Sequence, residues 1–250
     1  MPESAPRTVT VAATQFACSW DLPDNLDRAE RLVRAAHARG AQVILLQELF
    51  ATPYFCIEQD VRHLQLAQTV ADSPVLRRFG ALAAELAVVL PISFFERAGN
   101  AYFNSLAMFD ADGRRLGIYR KSHIPNGPGY QEKFYFSPGD TGFRVWQTRC
   151  GSIGVGVCWD QWFPESARIM ALLGAELLLS GPRSDIDVVS AAPVQDGGYL
   201  LAAVYGELNV TPAWSVTARL DNALNRNYQL ANGYNTGGRA ASVSTRYSFR

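Results

Sequence analysis

The sequence predicts an α/β domain of layered sheets and helices, followed by an all-β segment. From about residue 9 to residue 179, short apolar runs alternate with segments whose apolar residues recur every three to four positions. The first pattern is typical of buried strands and the second of amphipathic helices, and their alternation indicates α/β architecture. Beyond about residue 183 the helical spacing stops, and apolar and polar residues alternate singly, as in half-buried strands.

The elements of the first part follow from these periods and from the residues at their ends. The dipeptide Ser73-Pro74 predicts a helix start, and Gly40 and Gly174 are typical of helix ends. Turn-forming residues over 97–100 and 110–113 predict an antiparallel meander. The predicted strands span residues 9–13, 41–48, 88–95, 115–120, 143–147, 153–157 and 175–179, and the predicted helices span 25–39, 74–86 and 164–173.

Three reactive side chains stand at the carboxyl ends of predicted strands. Cys158 follows the apolar run 153–157 and precedes a helix start, Glu48 is the last residue of one strand, and Lys121 follows another. A tight strand-to-helix turn exposes a nucleophile and aims nearby backbone N–H groups at the atom it attacks. The pattern therefore predicts one active site that contains all three. Taken singly, Glu48 would be a solvated strand end or helix cap, Lys121 a surface charge and Cys158 a core residue.

Composition excludes several classes of function. The chain has 23 basic and 23 acidic residues, and this zero net charge does not favour a nucleic-acid partner. The amino terminus has no apolar signal segment, and no apolar run approaches the ~20 residues of a membrane helix, so a cytoplasmic protein is expected. Cys18, Cys56 and Cys150 are interpreted as small buried residues, because no cysteine spacing is that of a zinc site. His123 is interpreted as structural.

The segments around the reactive residues resemble the carbon–nitrogen hydrolase (nitrilase) superfamily, whose catalytic set is Glu, Lys and Cys. They are Leu-Leu-Gln-Glu48-Leu-Phe, the stretch from Arg-Lys121-Ser-His through Gln-Glu132-Lys-Phe, and Cys158-Trp-Asp-Gln-Trp-Phe-Pro-Glu165. The last two are similar to the N-carbamoylputrescine amidases, and the likeness extends over about residues 8–179. It implies an α-β-β-α layered sandwich of the nitrilase type and a homo-oligomer. The domain, residues 8–180, is expected to be truncated at its carboxyl side.

The resemblance also implies a reaction. Glu48 would take the proton of Cys158, and the thiolate would attack the carbamoyl carbon of a small N-carbamoyl amine. Lys121 and the backbone N–H of Trp159 would stabilise the oxyanion, and Glu132 would orient Lys121 and the substrate. Hydrolysis of N-carbamoylputrescine would yield putrescine, carbon dioxide and ammonia, and neither a metal nor a cofactor is required.

Residues 184–250 carry a different pattern. Strands are predicted over 199–210, 214–220 and 239–249, with apolar and polar residues alternating in the last of them. This segment resembles the C-terminal strands of a TonB-dependent outer-membrane receptor of the vitamin B12 type, through Leu220–Tyr228 and Gly233–Arg239. Because a closed barrel needs at least ~8 strands, no functional membrane insertion is expected. An ordinary antiparallel extension of the soluble domain is the alternative.

Two hypotheses of different classes follow. In the first, the chain is an N-carbamoylputrescine amidase with an all-β C-terminal extension. In the second, it is a non-functional product that carries a receptor fragment and arose by gene fusion, frameshift or an assembly error. Soluble expression with ammonia release favours the first, whereas insoluble protein without turnover favours the second.

Overall fold

The computed structural model describes residues 8–181, 204–211, 213–221, 229–231, 234–235 and 239–247. The chain divides into two compact units between Val189 and Ser190. The first unit contains β1 (Val11–Ala13), α1 (Leu22–Ala38), β2 (Val43–Leu45), α2 (Pro74–Leu86), β3 (Leu90–Ala98), β4 (Ala101–Phe109), β5 (Arg115–Arg120), α3 (Glu132–Tyr135), β6 (Val145–Thr148), β7 (Gly151–Val157), α4 (Pro164–Leu172) and β8 (Leu177–Gly181), with 3-10 turns over Phe55–Ile57, Val61–Leu66 and Cys158–Trp162. None of the helices in the described part of the chain has the length and apolarity of a membrane span.

Two sheets form the centre of this unit. In the first, β1 and β2 pair in parallel, and a parallel bridge between Val43 and Val89 joins them to the antiparallel meander β3-β4-β5. In the second, β7 pairs with β6 in the antiparallel and with β8 in the parallel sense. Since parallel neighbours need a crossover connection, α4 links β7 to β8.

Strand β4 shows how the layers stack, because its alternate side chains enter different cores. Ala107 and Phe109 pack in the core that contains the side chains of α1 and α2, whereas Leu106 and Met108 pack between the two sheets. On the outer face of β7, α4 comes so close that a Cβ on Gly154 would lie 2.8 Å from a sulfur atom of the helix. The layer order is therefore α-β-β-α, as expected.

Local signals account for the helix ends. Ser73 Oγ accepts a hydrogen bond of 3.1 Å from the Leu76 N–H at the start of α2, as the Ser-Pro pair predicts. The α1 helix begins three residues before the predicted position, because Asp21 caps it by accepting from the Asp24 N–H. Gly40 follows α1 with a φ of +87°, a left-handed conformation that glycine adopts readily.

One strand boundary differs from the prediction in a way that matters for the site. The second strand was expected over 41–48, but β2 covers Val43–Leu45 only. Beyond it, Gln47 leaves the ladder and its side chain donates to the Phe16 carbonyl at 2.8 Å, while the Leu49 N–H donates to Ser93 Oγ at 2.9 Å. Glu48 therefore lies in a turn three residues beyond β2 rather than at the strand end.

The second unit contains β9 (Val204–Thr211), β10 (Trp214–Asp221), β11 (Gln229–Ala231), β12 (Tyr234–Asn235) and β13 (Ala240–Tyr247). Strands β9, β10 and β13 form an antiparallel sheet with β10 in the middle. Strand β13 lies within the predicted range 239–249, whereas β9 and β10 each end one residue beyond the predicted ranges 199–210 and 214–220. Several large apolar side chains of this sheet are exposed, namely Leu208, Val210, Trp214, Val243 and Tyr247. The predicted join between the two parts, at residues 180–184, reaches beyond Gly181 and so lies partly outside the described residues.

Candidate active site

The turn after β7 places Cys158 in an uncommon backbone conformation. Its φ is +43°, in the left-handed region that residues other than glycine rarely occupy. Such strain persists only where neighbouring contacts hold it, and here the carboxylate of Asp160 does so by accepting from the Val157 N–H at 3.0 Å. The 3-10 turn Cys158–Trp162 then leads into α4. Trp159 is the second residue of this turn.

Asp160 also connects the turn to the strand β5 that precedes Lys121 and to the residues after it. Fully buried, it accepts from the hydroxyl of Tyr119 at 2.7 Å and from the His123 N–H at 3.1 Å, and His123 Nδ1 lies 2.8 Å from it. The His123 ring stacks on Phe163 with 3.7 Å between centroids. His123, interpreted as structural, thus contacts Asp160 and Phe163.

Lys121 lies at the centre of a buried ionic cluster. Its Nζ lies 2.9 Å from Glu48 Oε1, and 3.0 and 2.8 Å from Glu132 Oε1 and Oε2. All three side chains are completely buried. Burial by itself acts to lower the pKa of Lys121, but the two carboxylates outweigh it and raise that pKa above its usual range. The ammonium therefore stays charged, and its three N–H donors all point at carboxylate oxygens.

Glu132, on the short helix α3, has a second donor. The buried hydroxyl of Tyr54 donates to Glu132 Oε1 at 2.6 Å. Burial raises the pKa of Glu132, and Lys121 opposes that rise. Burial and the charge of Glu132 likewise raise the pKa of Tyr54, so this hydroxyl remains a proton donor.

The two oxygens of Glu48 have different surroundings. Oε1 accepts from Asn104 Nδ2 at 2.5 Å and from Lys121 Nζ. Oε2 is buried and has no hydrogen-bond partner within the described residues. One oxygen is therefore engaged twice, and the other is left available.

Cys158 lies close enough to this cluster to respond to its charges. Burial is the main cause that raises the pKa of the Cys158 thiol, and the negative charge of Glu48 adds to it, while Lys121 opposes both. The resting group is therefore a thiol rather than a thiolate, and a nucleophilic role requires a base beside it.

The structure thus brings together four of the five residues singled out from the sequence, and it adds others. Asn104 and Tyr54 contact the cluster through buried hydrogen bonds, although no local motif marks them. The only sequence signal for Asn104 is the polar pair Asn104-Ser105 inside an apolar strand. Cys56, interpreted as a packing residue, is fully buried, and the charges of Glu132 and Glu48 help burial to raise its pKa. Cys56 therefore lies near the cluster as well.

Two other features lie apart from this cluster. A cavity of about 230 Å³ has an apolar wall that includes Leu49, but none of the four clustered residues lines it. Elsewhere, Glu58, Asp60 and His63 bring potential metal ligands within 4.8 Å of one another. Asp60 forms an ion pair of 2.5 Å with Arg62, so one of these three potential ligands is already paired with a positively charged side chain.

Comparison with known proteins decides the family. The family model described as carbon-nitrogen hydrolase matches residues 10–232. The chain belongs to the carbon-nitrogen hydrolase family. The comparisons do not show the expected likeness of residues 184–249 to an outer-membrane receptor, and the family match extends through most of that segment.

Relatives within the carbon-nitrogen hydrolase family are similar over most of this chain. An N-carbamoylputrescine amidase of Solanum tuberosum is 61% identical over 172 residues, which are 69% of this chain and 57% of that protein. A citrullinase of Francisella tularensis is 51% identical over 171 residues, 68% of this chain and 60% of that protein. The crystal structure of a carbon-nitrogen hydrolase from Helicobacter pylori G27 superposes with a TM-score of 0.66 at 40% identity, covering 70% of this chain and 60% of that one. The chain thus spans less than two thirds of the length of these relatives.

Proposed function

We propose that the chain is a cysteine-dependent amidohydrolase that cleaves N-carbamoylputrescine. The observation that carries the proposal is the buried cluster in which Lys121 lies between Glu48 and Glu132, beside the thiol of Cys158. Identity of 61% with an N-carbamoylputrescine amidase supports the choice of substrate.

In the first step, Glu48 accepts the proton of Cys158 as sulfur attacks the carbamoyl carbon. Its Oε2 is suited to this role, because that oxygen has no other partner within the described residues. The raised pKa of the thiol makes the transfer necessary at neutral pH, since little thiolate forms without a base. The C=O bond opens to a tetrahedral oxyanion as the C–S bond forms.

Lys121 and the backbone N–H of Trp159 stabilise this oxyanion, and one such donor is typically worth about 3–4 kcal/mol. To do so, Lys121 exchanges one of its three carboxylate contacts for the oxyanion. The contact to Glu132 Oε1 is the longest, at 3.0 Å, and that oxygen keeps its hydrogen bond from Tyr54. Glu132 thus orients Lys121 through its other oxygen while Lys121 binds the intermediate.

Collapse of the intermediate breaks the C–N bond to the amine, and Glu48 returns the proton to the departing putrescine. Water then attacks the S-carbamoyl group, with Glu48 again accepting a proton. The thiol is restored and carbamate leaves, which decomposes to carbon dioxide and ammonia. One water is consumed for each putrescine, carbon dioxide and ammonia released.

Citrulline is the second candidate substrate, because a citrullinase is 51% identical over 171 residues. Citrulline has the same terminal carbamoyl group, but its chain ends in an amino acid instead of an amine. Ammonia release from the two compounds, with Cys158→Ala as the blank, separates the candidates. Release from neither by soluble wild-type protein would contradict the proposed function.

The assembly and the location belong to the same proposal. A homo-oligomer fits the exposed apolar side chains at the carboxyl end of α4, where Leu172 is 79% exposed and Leu173, the residue after the helix, is 54% exposed. A cytoplasmic location stays a prediction.

The likeness of residues 184–249 to the end of a TonB-dependent receptor also stays a prediction, supported by the exposed apolar residues of the β9-β10-β13 sheet. Sequencing the locus across codons 175–190 tests whether one reading frame encodes both units.

A further inference from the structure

Strand β4 contains two adjacent polar residues that are both completely buried, Asn104 and Ser105. Ser105 Oγ donates to Glu96 Oε2 at 2.5 Å, and Glu96 in turn forms a salt bridge with Arg120. Asn104 donates instead to Glu48. Because alternate side chains of a strand point to opposite faces, the two residues serve separate polar groups. A buried polar side chain is unfavourable unless it is hydrogen-bonded, so each contact needs its own explanation.

Only one of the two polar atoms in the Asn104 side chain forms a hydrogen bond within the described residues. Its Nδ2 lies 2.5 Å from Glu48 Oε1, whereas its Oδ1 is buried and has no partner among the described residues. Within the described part of the chain, its side chain is therefore held by Glu48 alone. Its backbone carbonyl accepts from the Lys121 N–H at 2.9 Å, which fixes Asn104 beside Lys121 as well.

We propose that Asn104 is a positioning residue that selects which oxygen of Glu48 accepts the proton of Cys158. By donating to Oε1 together with Lys121, Asn104 fixes the rotation of the carboxylate and leaves Oε2 for the thiol. A donor to a carboxylate also favours its ionised form, which is the form that a base must have. The inference rests on the proposed function, because it takes Glu48 as the base.

Asn104 differs from the other groups that face Glu48 because it carries no charge. Glu132, Tyr54, Cys56 and Cys158 are the titratable groups that interact with Glu48 around the Lys121 ammonium. Lys121 contacts both carboxylates and therefore cannot distinguish them by charge alone. Asn104 contacts Glu48 only, so its removal alters one carboxylate and leaves the ion pair with Glu132 in place.

The test measures alkylation of Cys158 by iodoacetamide in the full chain, followed on its own peptide by mass spectrometry between about pH 4 and pH 9. The acid limb is the part of the rate–pH profile in which the alkylation rate falls as pH falls. In Asn104→Leu, the acid limb should move to higher pH by about 1–2 units, since the hydrogen bond to the charged carboxylate of Glu48 is lost. In Asn104→Asp, the shift should be at least as large, because a second carboxylate beside Glu48 favours a shared proton. If Asn104→Leu does not fold, the pH profile of Cys158 alkylation in the isosteric variant Asn104→Asp tests the role of Asn104 instead.

Steady-state kinetics with N-carbamoylputrescine give a second readout. A positioning role predicts that kcat of the Asn104 variants falls by about tenfold or more while KM stays within about twofold. Alkylation does not depend on the substrate, so absence of turnover by the wild-type chain would refute the proposed function without deciding the role of Asn104.

Two control variants separate positioning from stability. Asn100→Asp makes the same chemical change in the exposed β3–β4 turn and should leave the profile unchanged. Ser105→Ala removes a buried hydrogen bond from the same strand, so it should lower the unfolding temperature without moving the acid limb. The inference is overturned if a folded Asn104 variant has the same acid limb and the same rate of Cys158 alkylation as the wild type. It is equally overturned if Asn104→Leu and Ser105→Ala lose rate alike with no shift.

Discussion

The hydroxyl of Tyr119 donates a hydrogen bond of 2.7 Å to the carboxylate of Asp160. Tyr119 lies two residues before Lys121, and Asp160 lies two residues after Cys158. One buried contact therefore fixes the end of β5 relative to the end of β7, and with it the ammonium relative to the thiol. The two strands belong to different sheets, so this contact links the sheets across the sandwich.

Tyr119→Phe should lower the free energy of unfolding by about 1–3 kcal/mol, because it leaves a buried acceptor with one donor fewer. Urea denaturation measures this loss. Loss of this hydrogen bond also leaves Asp160 less well positioned to stabilise the left-handed backbone conformation of Cys158, so activity should fall as well. A variant with wild-type stability and activity would show that the Val157 and His123 contacts of Asp160 suffice.

Alkaline pH should destabilise the fold through the same residue. Burial is the first cause that raises the pKa of Tyr119, and the charge of Asp160 adds to it. The neutral form is thus favoured in the folded state, and its contribution is fully present below about pH 10, the ordinary tyrosine pKa. It is lost as pH rises above that value, because the unfolded tyrosine ionises and the folded one does not. Unfolding midpoints measured from neutral to alkaline pH should fall less steeply in Tyr119→Phe than in the wild type.

Cys158→Ala should abolish ammonia release, whereas Cys56→Ala should retain it. The first change removes the proposed nucleophile, and the second removes a fully buried thiol that burial keeps protonated. Because Cys56→Ala leaves a small cavity, a loss of stability of about 1 kcal/mol is expected. Activities are compared at equal folded concentration, determined by thermal unfolding. Equal inactivation of both variants at matched folding would refute the assignment.

Lys121→Met should cost about 3–5 kcal/mol of stability, because it leaves the carboxylates of Glu48 and Glu132 buried without their cation. Adding Glu132→Gln should recover part of this loss, since one of the two charges is then removed. A double-mutant cycle measured by urea denaturation gives the coupling between Lys121 and Glu132. Lower pH should also stabilise Lys121→Met relative to the wild type, because burial raises the pKa of Glu132 and the variant lacks the ammonium that opposes this rise. Additive effects of the two changes would show that the pair is not coupled.

Limited proteolysis should cut between Gly181 and Gly198 and release the second unit. The division of the chain into compact units at Val189 and Ser190 supports this position. Mass spectrometry of the fragments identifies the cut, and ammonia release before and after it shows whether the second unit contributes to turnover. A chain that resists cleavage and unfolds in one cooperative transition would contradict a separable second unit.

The sequence predicts the layered α/β architecture well because its signals are local. The Ser73-Pro74 helix start and the glycine after α1 act within one turn of the chain, and the apolar runs read directly as buried strands. The boundary at Glu48 could not be read in this way. The contact of Gln47 with Phe16 that ends β2 early joins residues 31 positions apart.

The site was predictable only in part for the same reason. Motifs mark Glu48, Lys121, Glu132 and Cys158. The hydrogen bonds that orient them come from residues distant in the chain, since Asn104 is 56 positions from Glu48 and Tyr54 is 78 positions from Glu132. The spacing of these residues in the sequence does not show that Glu48 Oε2 lacks a hydrogen-bond partner within the described residues. Nor does it show that all three N–H donors of Lys121 contact carboxylate oxygens. Both depend on tertiary packing.

The complete burial of Lys121 has a practical consequence for labelling. The chain has two lysines, Lys121 and Lys133, and only Lys133 is exposed. Amine-reactive reagents applied to the folded protein should therefore modify Lys133 and the terminal amine while leaving the ammonium of the cluster untouched. A fluorophore attached at Lys133 would sit on α3, one residue from Glu132, and would report on the environment of the cluster without entering it.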